Sequence, residues 1–278
     1  MSDQSRPQYV SFLSDYGRTD EFVGVCHAVM VDIAPEVRVV DVTHDIPPFD
    51  VRAGALALVR AVQYLPEGVV LAIVDPGVGT DRRCIAVRVE GGYLVGPDNG
   101  LLAPAVTMLG GPLEVVALEN PDYQLPAPGP TFAGRDIMAP AAAHLASGVA
   151  LGELGPAIDP VTLAPGLVPL PQEDEDGTIA GEVLWVDRFG NCQLNVAPEQ
   201  LVARGTEPGG FVGVKAGNIE RRARWVHTFA EAKPSELVVL VDSYGMCALA
   251  LDQRSAAAEL KLRAGHAVTI VTQDRGLA

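Results

Sequence analysis

The sequence lacks the residue patterns that mark disulfide-bonded proteins, metalloproteins and nucleotide triphosphate sites. Its four cysteines include no CxxC pair, and its five histidines form neither HxxxH nor HExxH. Scattered thiols of this kind are typical of buried cysteines in a reducing cytoplasm, and the histidines have no ligand spacing. Neither GxGxxG nor GxxxxGK[ST] occurs. We therefore expect no disulfide, no bound metal and no phosphate-binding glycine loop.

Positive charge is also scarce. The chain has 20 lysines and arginines against 35 aspartates and glutamates, a formal net charge of −15. Such a surface repels a phosphate backbone, so nucleic acid is not an expected partner. No apolar run approaches the length of a membrane span, and the first residues, MSDQSRPQ, lack the pattern of a secretion signal. We expect a soluble, cytoplasmic protein that contacts no membrane.

The chain does contain enough apolar sequence for a proper core. Its 278 residues are 48% hydrophobic, which suits one large or two ordinary domains. The pattern predicts an N-terminal α/β domain over residues 1–163, because short apolar runs alternate there with helical stretches. A proline- and acid-rich linker is predicted at 164–178. Short strand-like segments then predict a smaller all-β, barrel-like domain over 179–278.

Individual elements follow from apolar periodicity and from turn residues. In the first domain we predict strands at Tyr9–Ser14, Val37–Val42, Val69–Val74, Ile85–Val89, Tyr93–Gly96 and Leu113–Leu118, and helices at Glu21–Ala34, Asp50–Leu65 and Ile137–Ser147. In the second domain we predict strands at Gly181–Val186, Gln193–Val196, Phe211–Val214, Arg224–Phe229, Leu237–Asp242, Met246–Leu251 and His266–Thr272.

The most informative stretch is VVLAIVDPGVGTDRR, from Val69 to Arg83. A short apolar run bounded by turn residues is typical of a buried parallel strand, which places Asp75 at its carboxyl end. Ligands of open α/β sheets bind outside those ends, and the glycines that follow allow close approach of a backbone. An ordinary turn explains Asp75 equally well when it is taken alone.

Five further loops share this polar, glycine-containing character. They are SDYG at 14–17, GPDNG at 96–100, TFAGRD at 131–136, DRFGN at 187–191 and DSYG at 242–245. Each one alone is better explained as a turn. Taken together and in this order, they make the chain similar to the S-adenosylmethionine (SAM) hydroxide adenosyltransferases, a family related to the fluorinating and chlorinating adenosyl transferases. The segment VVDVTHDIPPFD at 39–50 adds to the resemblance, which extends over nearly the whole chain.

The resemblance implies an N-terminal α/β domain, a C-terminal β-barrel, and a homotrimer that binds SAM between subunits, with no cofactor besides this substrate. It implies that Asp15 binds the ribose hydroxyls and that Asn191 contacts the adenine edge. The other substrate-binding residues that it implies are Phe49 and Phe229 as aromatic walls, Asp187 and Ser243 at the methionine end, and Phe189 and Tyr244 in the same two loops.

The resemblance also implies the reaction type. Asp75 and Arg82, seven positions apart, match the residues that bind and activate water in the water-using branch, whereas the halide-using branch has tyrosine in place of the aspartate. A carboxylate repels a halide but accepts a hydrogen bond from water. We therefore expect hydrolysis of SAM to adenosine and L-methionine, with Asp75 and Arg82 as the catalytic residues.

Two positions depart from the family pattern. Ala133 occupies the place where the water-using enzymes have a histidine, and a methyl group cannot transfer a proton. Its neighbours Gly134 and Arg135 are therefore uncertain candidates for the site. Tyr244 occupies the place of an arginine in the fluorinating relatives. Two alternatives stay open: halide transfer that forms a 5′-halo-5′-deoxyadenosine, and non-catalytic binding of SAM or adenosine.

Overall fold

The computed structural model describes residues 9–166, 168–174 and 177–272. The chain divides into two compact units, residues 1–168 and 169–278. This division falls inside the predicted linker at 164–178, three residues of which (167, 175 and 176) lie outside the described residues, as do 1–8 and 273–278 of the predicted domains.

The first unit contains a six-stranded mixed sheet with the strand order β2-β1-β3-β5-β4-β6. The strands β2, β1, β3 and β5 run parallel, and β4 pairs antiparallel with both β5 and β6. The six strands are β1 (Tyr9–Ser14), β2 (Arg38–Thr43), β3 (Gly68–Ile73), β4 (Cys84–Val89), β5 (Gly92–Pro97) and β6 (Glu114–Ala117).

Helices cover both faces of this sheet, and β3 shows why. Every residue of β3 is buried, and its side chains alternate between two apolar clusters. Leu71 and Ile73 belong to the cluster with α1 and α4, while Val70 and Ala72 belong to the cluster with α2 and α3. The helices are α1 (Phe22–Ile33), α2 (Val51–Ala61), α3 (Ala103–Met108) and α4 (Ala139–Ala146). A strand buried on both faces is typical of a three-layer α/β/α domain.

The second unit is a closed antiparallel-rich barrel. Its seven strands follow the order β14-β10-β11-β12-β13-β9-β8, and β14 pairs with β8 to close the ring, while β7 adds to β8 from outside. The strands are β7 (Gln172–Glu173), β8 (Thr178–Val186), β9 (Cys192–Leu194), β10 (Phe211–Ala216), β11 (Ile219–Trp225), β12 (Leu237–Val241), β13 (Cys247–Leu251) and β14 (Ala267–Val271), and two short helices are α5 (Pro198–Ala203) and α6 (Ala256–Leu260).

The predicted fold class, an α/β domain followed by a smaller barrel-like domain, is confirmed. One predicted strand is misplaced. We predict a strand at Arg224–Phe229, but β11 runs from Ile219 to Trp225, and Phe229 begins a 3-10 turn instead. The reason is that β11 has arginines at successive positions, so its apolar periodicity is hidden. Arg222, for example, packs its guanidinium over the ring of Phe211 at 3.9 Å.

Candidate active site

The two acids of the first unit lie at the same edge of its sheet. The neighbouring strands β1 and β3 run parallel with Ser14 opposite Ile73, so Asp15 and Asp75 both follow the carboxyl ends of adjacent strands. The backbone N–H of Asp15 extends this pairing by donating to the carbonyl of Ile73 at 3.2 Å. This edge is where α/β sheets bind ligands.

Asp75 forms a bidentate ion pair with Arg82. The Nε of Arg82 donates to Oδ1 of Asp75 at 2.7 Å, and Nη2 donates to Oδ2. Both side chains are largely buried, with exposed fractions of 6% for Asp75 and 13% for Arg82. Burial alone would lower the pKa of Arg82, but the hydrogen bond that it donates to Asp75 and the interaction with Cys84 raise it. The guanidinium therefore stays charged and holds the carboxylate in one orientation.

The glycine-rich loop makes this pairing possible. A Cβ at Gly77 would approach Cγ of Arg82 to 3.1 Å, and Gly79 has a φ of +80°. Both positions favour glycine, one for close approach of the arginine stem and the other for its backbone conformation. The glycines of this loop therefore serve the Asp75–Arg82 pair.

Asp15 has a different environment. Its Oδ2 accepts from the backbone N–H of Phe49 at 2.9 Å, and among the described residues no cationic side chain forms an ion pair with it. Burial raises the pKa of Asp15, and the hydrogen bond from Phe49 offsets only part of that rise. Phe49 has a φ of +67° and an exposed fraction of 72%. A bulky residue in that conformation is strained, which is common at ligand sites.

The position of the missing histidine lies in the core of the first unit. Ala133 is 7% exposed and precedes a π-helical turn, Gly134–Met138. A Cβ at Gly134 would lie 2.0 Å from the hydroxyl of Tyr16, so only glycine admits that tyrosine. Gly134 therefore has a packing role, and it brings the Tyr16 ring next to the loop that contains Ala133.

Arg135, the third uncertain residue, is bound to its neighbour. Its Nε and Nη2 donate to the two carboxylate oxygens of Asp136 at 2.6 and 3.0 Å, and its guanidinium packs over the ring of Phe132 at 4.9 Å. Asp136 is itself 5% exposed. This second buried acid is thereby neutralised within the loop.

A groove of about 580 Å³ runs along this part of the first unit. Its lining includes Arg82, Cys84, Ala133 and Asp136. Ala133, although largely buried, is thus one of the residues that line the same groove as the arginine of the Asp75 pair.

The GPDNG loop of the first unit has structural partners. In GPDNG, Asp98 accepts from Arg83 and from the N–H of Ala164, while Nδ2 of Asn99 donates to the carbonyl of Val74 at 2.9 Å. Arg83 also bonds the hydroxyl of Thr162. These side chains fix the end of β3, and none of these hydrogen bonds involves the side chain of Asp75 or Arg82.

In the barrel, the first candidate loop is organised by Asp187. Its Oδ1 accepts from the N–H groups of Phe189 and Asn191 at 2.9 and 2.8 Å, and its Oδ2 accepts from Nδ2 of Asn191 at 2.8 Å. Phe189 is 77% exposed. Asp187 therefore builds the loop that presents Phe189 and Asn191, and the Asn191 amide keeps its carbonyl as an acceptor.

The second barrel loop repeats this design. Oδ1 of Asp242 accepts from the N–H groups of Tyr244 and Met246 at 2.9 and 3.1 Å, and Oδ2 accepts from Gln193. Ser243 and Tyr244 are exposed at its tip. Because Gln193 lies two residues after Asn191, the two loops are linked. Phe229 lies elsewhere in the barrel, half-exposed at the start of its 3-10 turn.

Two residues of the first-unit site were missed by the sequence reasoning. Cys84 accepts a hydrogen bond from Nη1 of Arg82, and Tyr16 packs against Gly134. Cys84 lies two residues after Arg82 and at the start of a strand, which is a weak signal. Tyr16 directly follows Asp15, so its presence in the SDYG motif was the signal available.

The fold and the paired acids define a two-domain protein with a candidate ligand site at the carboxyl edge of an α/β sheet. The N-terminal and C-terminal domain models of the SAM hydroxide adenosyltransferases match residues 10–155 and 181–269. The chain therefore belongs to the SAM hydroxide adenosyltransferase family.

Individual relatives agree with this. A protein of Salinispora tropica named (R)-S-adenosyl-L-methionine hydrolase is 47% identical over 94% of this chain and 97% of its own length. A fluorinase of Actinoplanes sp. is 30% identical over 94% of this chain and 96% of its own. A crystal structure of an uncharacterized conserved protein from Thermotoga maritima superposes with a TM-score of 0.87 at 32% identity, covering 94% of this chain and 99% of that one.

Proposed function

We propose that this chain hydrolyses SAM to adenosine and L-methionine by in-line attack of water on the 5′ carbon. The observation that supports this most directly is the buried Asp75–Arg82 pair at the end of β3. A fixed carboxylate can accept a hydrogen bond from water and orient one of its lone pairs. It repels a halide at the same point, which disfavours halide transfer.

The reaction requires the protein mainly to orient the attacking water. The sulfonium makes methionine a neutral leaving group, so no general acid is needed to break the carbon–sulfur bond. The oxygen of water forms the new bond to the 5′ carbon, the carbon–sulfur electron pair stays on sulfur, and one proton leaves the attacking water. Holding that water in line with the breaking bond lowers the activation barrier by several kcal/mol. In well-oriented intramolecular reactions the gain is on the order of 7 kcal/mol or more.

In the first unit, we assign Asp15 to the ribose hydroxyls. Among the described residues no cation neutralises this carboxylate, and Phe49 N–H fixes only Oδ2, so acceptor capacity is left for two hydroxyl donors. Phe49, exposed and held with a positive φ, is assigned to an apolar face of the adenosyl group. These assignments rest on residue chemistry and on the family pattern.

In the barrel, we assign Asn191 to the adenine edge and Phe189 and Phe229 to apolar contacts. Asp187, Ser243 and Tyr244 are assigned to the methionine end. Because Asp187 already accepts three hydrogen bonds within its loop, its contribution to an ammonium group is electrostatic as well as direct. We further propose a cytoplasmic homotrimer that binds SAM at subunit interfaces. No helix in the described ranges is long and apolar enough to cross a membrane.

The preferred substrate is proposed to be the (R)-epimer at sulfur. The Salinispora relative, 47% identical over almost the whole chain, is named for that epimer. Non-catalytic binding is the second candidate, and one observation favours it: Ala133 leaves the buried pair without an imidazole.

The test is incubation of the purified chain with (R)- and (S)-SAM, separately, followed by chromatography. We expect adenosine and methionine, faster from the (R)-epimer, with ¹⁸O from labelled water in the 5′ hydroxyl. Asp75→Ala is the matched variant and should lower turnover more than binding, because its contact matters mainly in the transition state. Chloride or fluoride in the buffer should yield no halonucleoside. Binding without adenosine, even at high protein concentration, would show a binding protein instead.

A further inference from the structure

Three potential metal ligands from separate parts of the first unit meet at the edge of its sheet. His27 lies on α1, Asp41 lies on the edge strand β2, and His44 follows that strand. Nε2 of His27 lies 2.8 Å from Oδ1 of Asp41, and Nε2 of His44 lies 3.0 Å from the same oxygen. All three atoms lie within 4.8 Å of one another.

The geometry at His44 differs from that of a hydrogen bond. Its side chain is fully buried, and although Nε2 is close to the Asp41 oxygen, it lies outside hydrogen-bond geometry and has no hydrogen-bond partner among the described residues. Leaving a buried polar atom without a partner costs free energy. Ligand atoms around a tetrahedral zinc ion are roughly 3.3 Å apart, and each lone pair points at the metal instead of at the neighbouring ligand. The off-axis contact of His44 fits that arrangement, whereas Nε2 of His27 is in hydrogen-bond geometry with the same Asp41 oxygen and gives up that bond when it binds a metal.

The other side of the His44 ring is held as metal-binding imidazoles are. Its Nδ1 lies 2.8 Å from Oγ of Ser14, in a buried contact, and Phe12 packs edge-on against the ring with centroids 4.6 Å apart. An imidazole that binds metal through Nε2 donates its Nδ1–H to an oxygen acceptor, which fixes the tautomer and the ring orientation. Ser14 supplies that acceptor. His27 and Asp41 are each about one-third exposed, so an ion can enter from solvent.

We propose that His27, Asp41 and His44 bind one divalent late transition metal ion, with zinc as the best match, and leave a fourth position for water. Two imidazole nitrogens and one carboxylate oxygen suit Zn²⁺, Co²⁺ or Ni²⁺ better than Mg²⁺ or Ca²⁺, which prefer oxygen ligands. The ion ties α1 to β2. The carbonyl of His44 accepts from Gly17 N–H at 2.8 Å, so the ion also steadies the SDYG loop that contains Asp15.

The test uses the full chain without a histidine tag, freed of metal by a chelator and then dialysed against Zn²⁺ or Co²⁺. We expect about one equivalent retained per chain, the visible absorption of four-coordinate Co²⁺, and a melting temperature a few degrees higher with Zn²⁺. His27→Ala should weaken Zn²⁺ binding by at least roughly a hundredfold, since losing an outer-shell partner alone costs 10–100-fold. His227→Ala, a histidine of the barrel, is the matched control and should bind as the unmodified chain does.

Two results would overturn the site. One is the absence of both stoichiometric metal and any Zn²⁺-dependent rise in melting temperature in the unmodified chain, a measurement that needs no variant to fold. The other is His27→Ala binding Zn²⁺ as tightly as the His227→Ala control. Neither readout involves SAM, so failure here leaves the proposed hydrolysis untouched, and failure of the hydrolysis leaves the metal site untouched.

Discussion

Asp15 and Asp75 are the same residue type at the ends of adjacent parallel strands, yet their surroundings are opposite. Asp75 is bound through both oxygens by Arg82. Asp15 receives a backbone N–H from Phe49 and has no ion-pair partner in the described chain. An acid that is already neutralised can orient a neutral water without attracting a second cation. An unneutralised acid retains a demand for hydrogen-bond donors, which ribose hydroxyls satisfy.

The two acids are also positioned by different parts of the chain. The loop after Asp75 places Arg82 by means of glycines, so the pair is formed between residues only seven positions apart. Asp15 is held by a residue 34 positions away, Phe49, whose strained backbone supplies the donor. One acid is therefore fixed locally, while the other depends on the segment that follows β2. Substitutions in the Asp75–Arg82 pair should therefore affect the chemical step and the stability of the fold. Substitutions of Asp15 should affect ligand binding.

The largest expected effect concerns the charge balance of Asp75. Arg82→Gln leaves a buried carboxylate without its partner, which should cost about 3–5 kcal/mol in the free energy of unfolding. Urea denaturation of the two proteins measures it. Arg88→Gln is the matched control, because its pair with Glu114 is more than 40% exposed on both sides and should contribute about 1 kcal/mol or less. Equal losses for the two variants would mean that the Asp75 pair is not a buried charge pair.

The next largest effect concerns the histidine that is absent from position 133, near the Asp75–Arg82 pair. Ala133→His introduces an imidazole at a position that lines the same groove as Arg82, and general acid–base assistance is worth about a hundredfold in rate, so even partial restoration should be visible in kcat. Ala133→Phe, with a ring of similar size and no titratable nitrogen, controls for the change in volume. If both variants are unchanged or slower than the parent, proton removal follows another route in this chain.

A third change tests Asp15 directly. Asp15→Asn replaces a charged acceptor with a neutral one and should raise the dissociation constant for SAM or adenosine by about tenfold to a hundredfold, the value of one or two hydrogen bonds to a charged group. Titration calorimetry measures the affinity, and steady-state kinetics should show KM rising more than kcat falls. The reverse pattern, with kcat falling at constant KM, would assign Asp15 to the chemical step.

Much of this fold was predictable because its physical signals are local. The uninterrupted apolar run of β3 predicts a buried parallel strand, and the structure shows one, paired in parallel with β1 and β5. The cap of α2 was also predictable, since Asp50 accepts from the N–H of Ala53 as an N-cap residue does. Most strand boundaries differ from the predicted ones by a residue or two, whereas β8 begins at Thr178, three residues before its predicted start.

The features that escaped prediction depend on tertiary contacts. The π-helical turn after Ala133 accompanies the packing of Tyr16 against Gly134, and these two residues lie far apart in the sequence. His27 lies near His44 only because α1 packs against the sheet, so the spacing of the two residues in the sequence does not predict their contact. Similarly, Asp187 was interpreted as a ligand residue, and nothing in DRFGN alone tells that its carboxylate also accepts three bonds inside its own loop.

The smallest effect is a pH dependence that separates the two acids. Because burial raises the pKa of Asp15, that carboxylate takes up a proton at a higher pH than an ordinary aspartate. If Asp15 binds the ribose hydroxyls as proposed, they donate to its ionised form, so affinity should be constant above this pKa and should fall by at most about tenfold per pH unit below it. Ligand binding in that range should release a proton, detectable by calorimetry in buffers of different ionisation enthalpy. Asp15→Asn should abolish the dependence, whereas Asp75→Ala should keep it. A pH profile that survives in Asp15→Asn would assign the titration to another group and remove the distinction between the two acids.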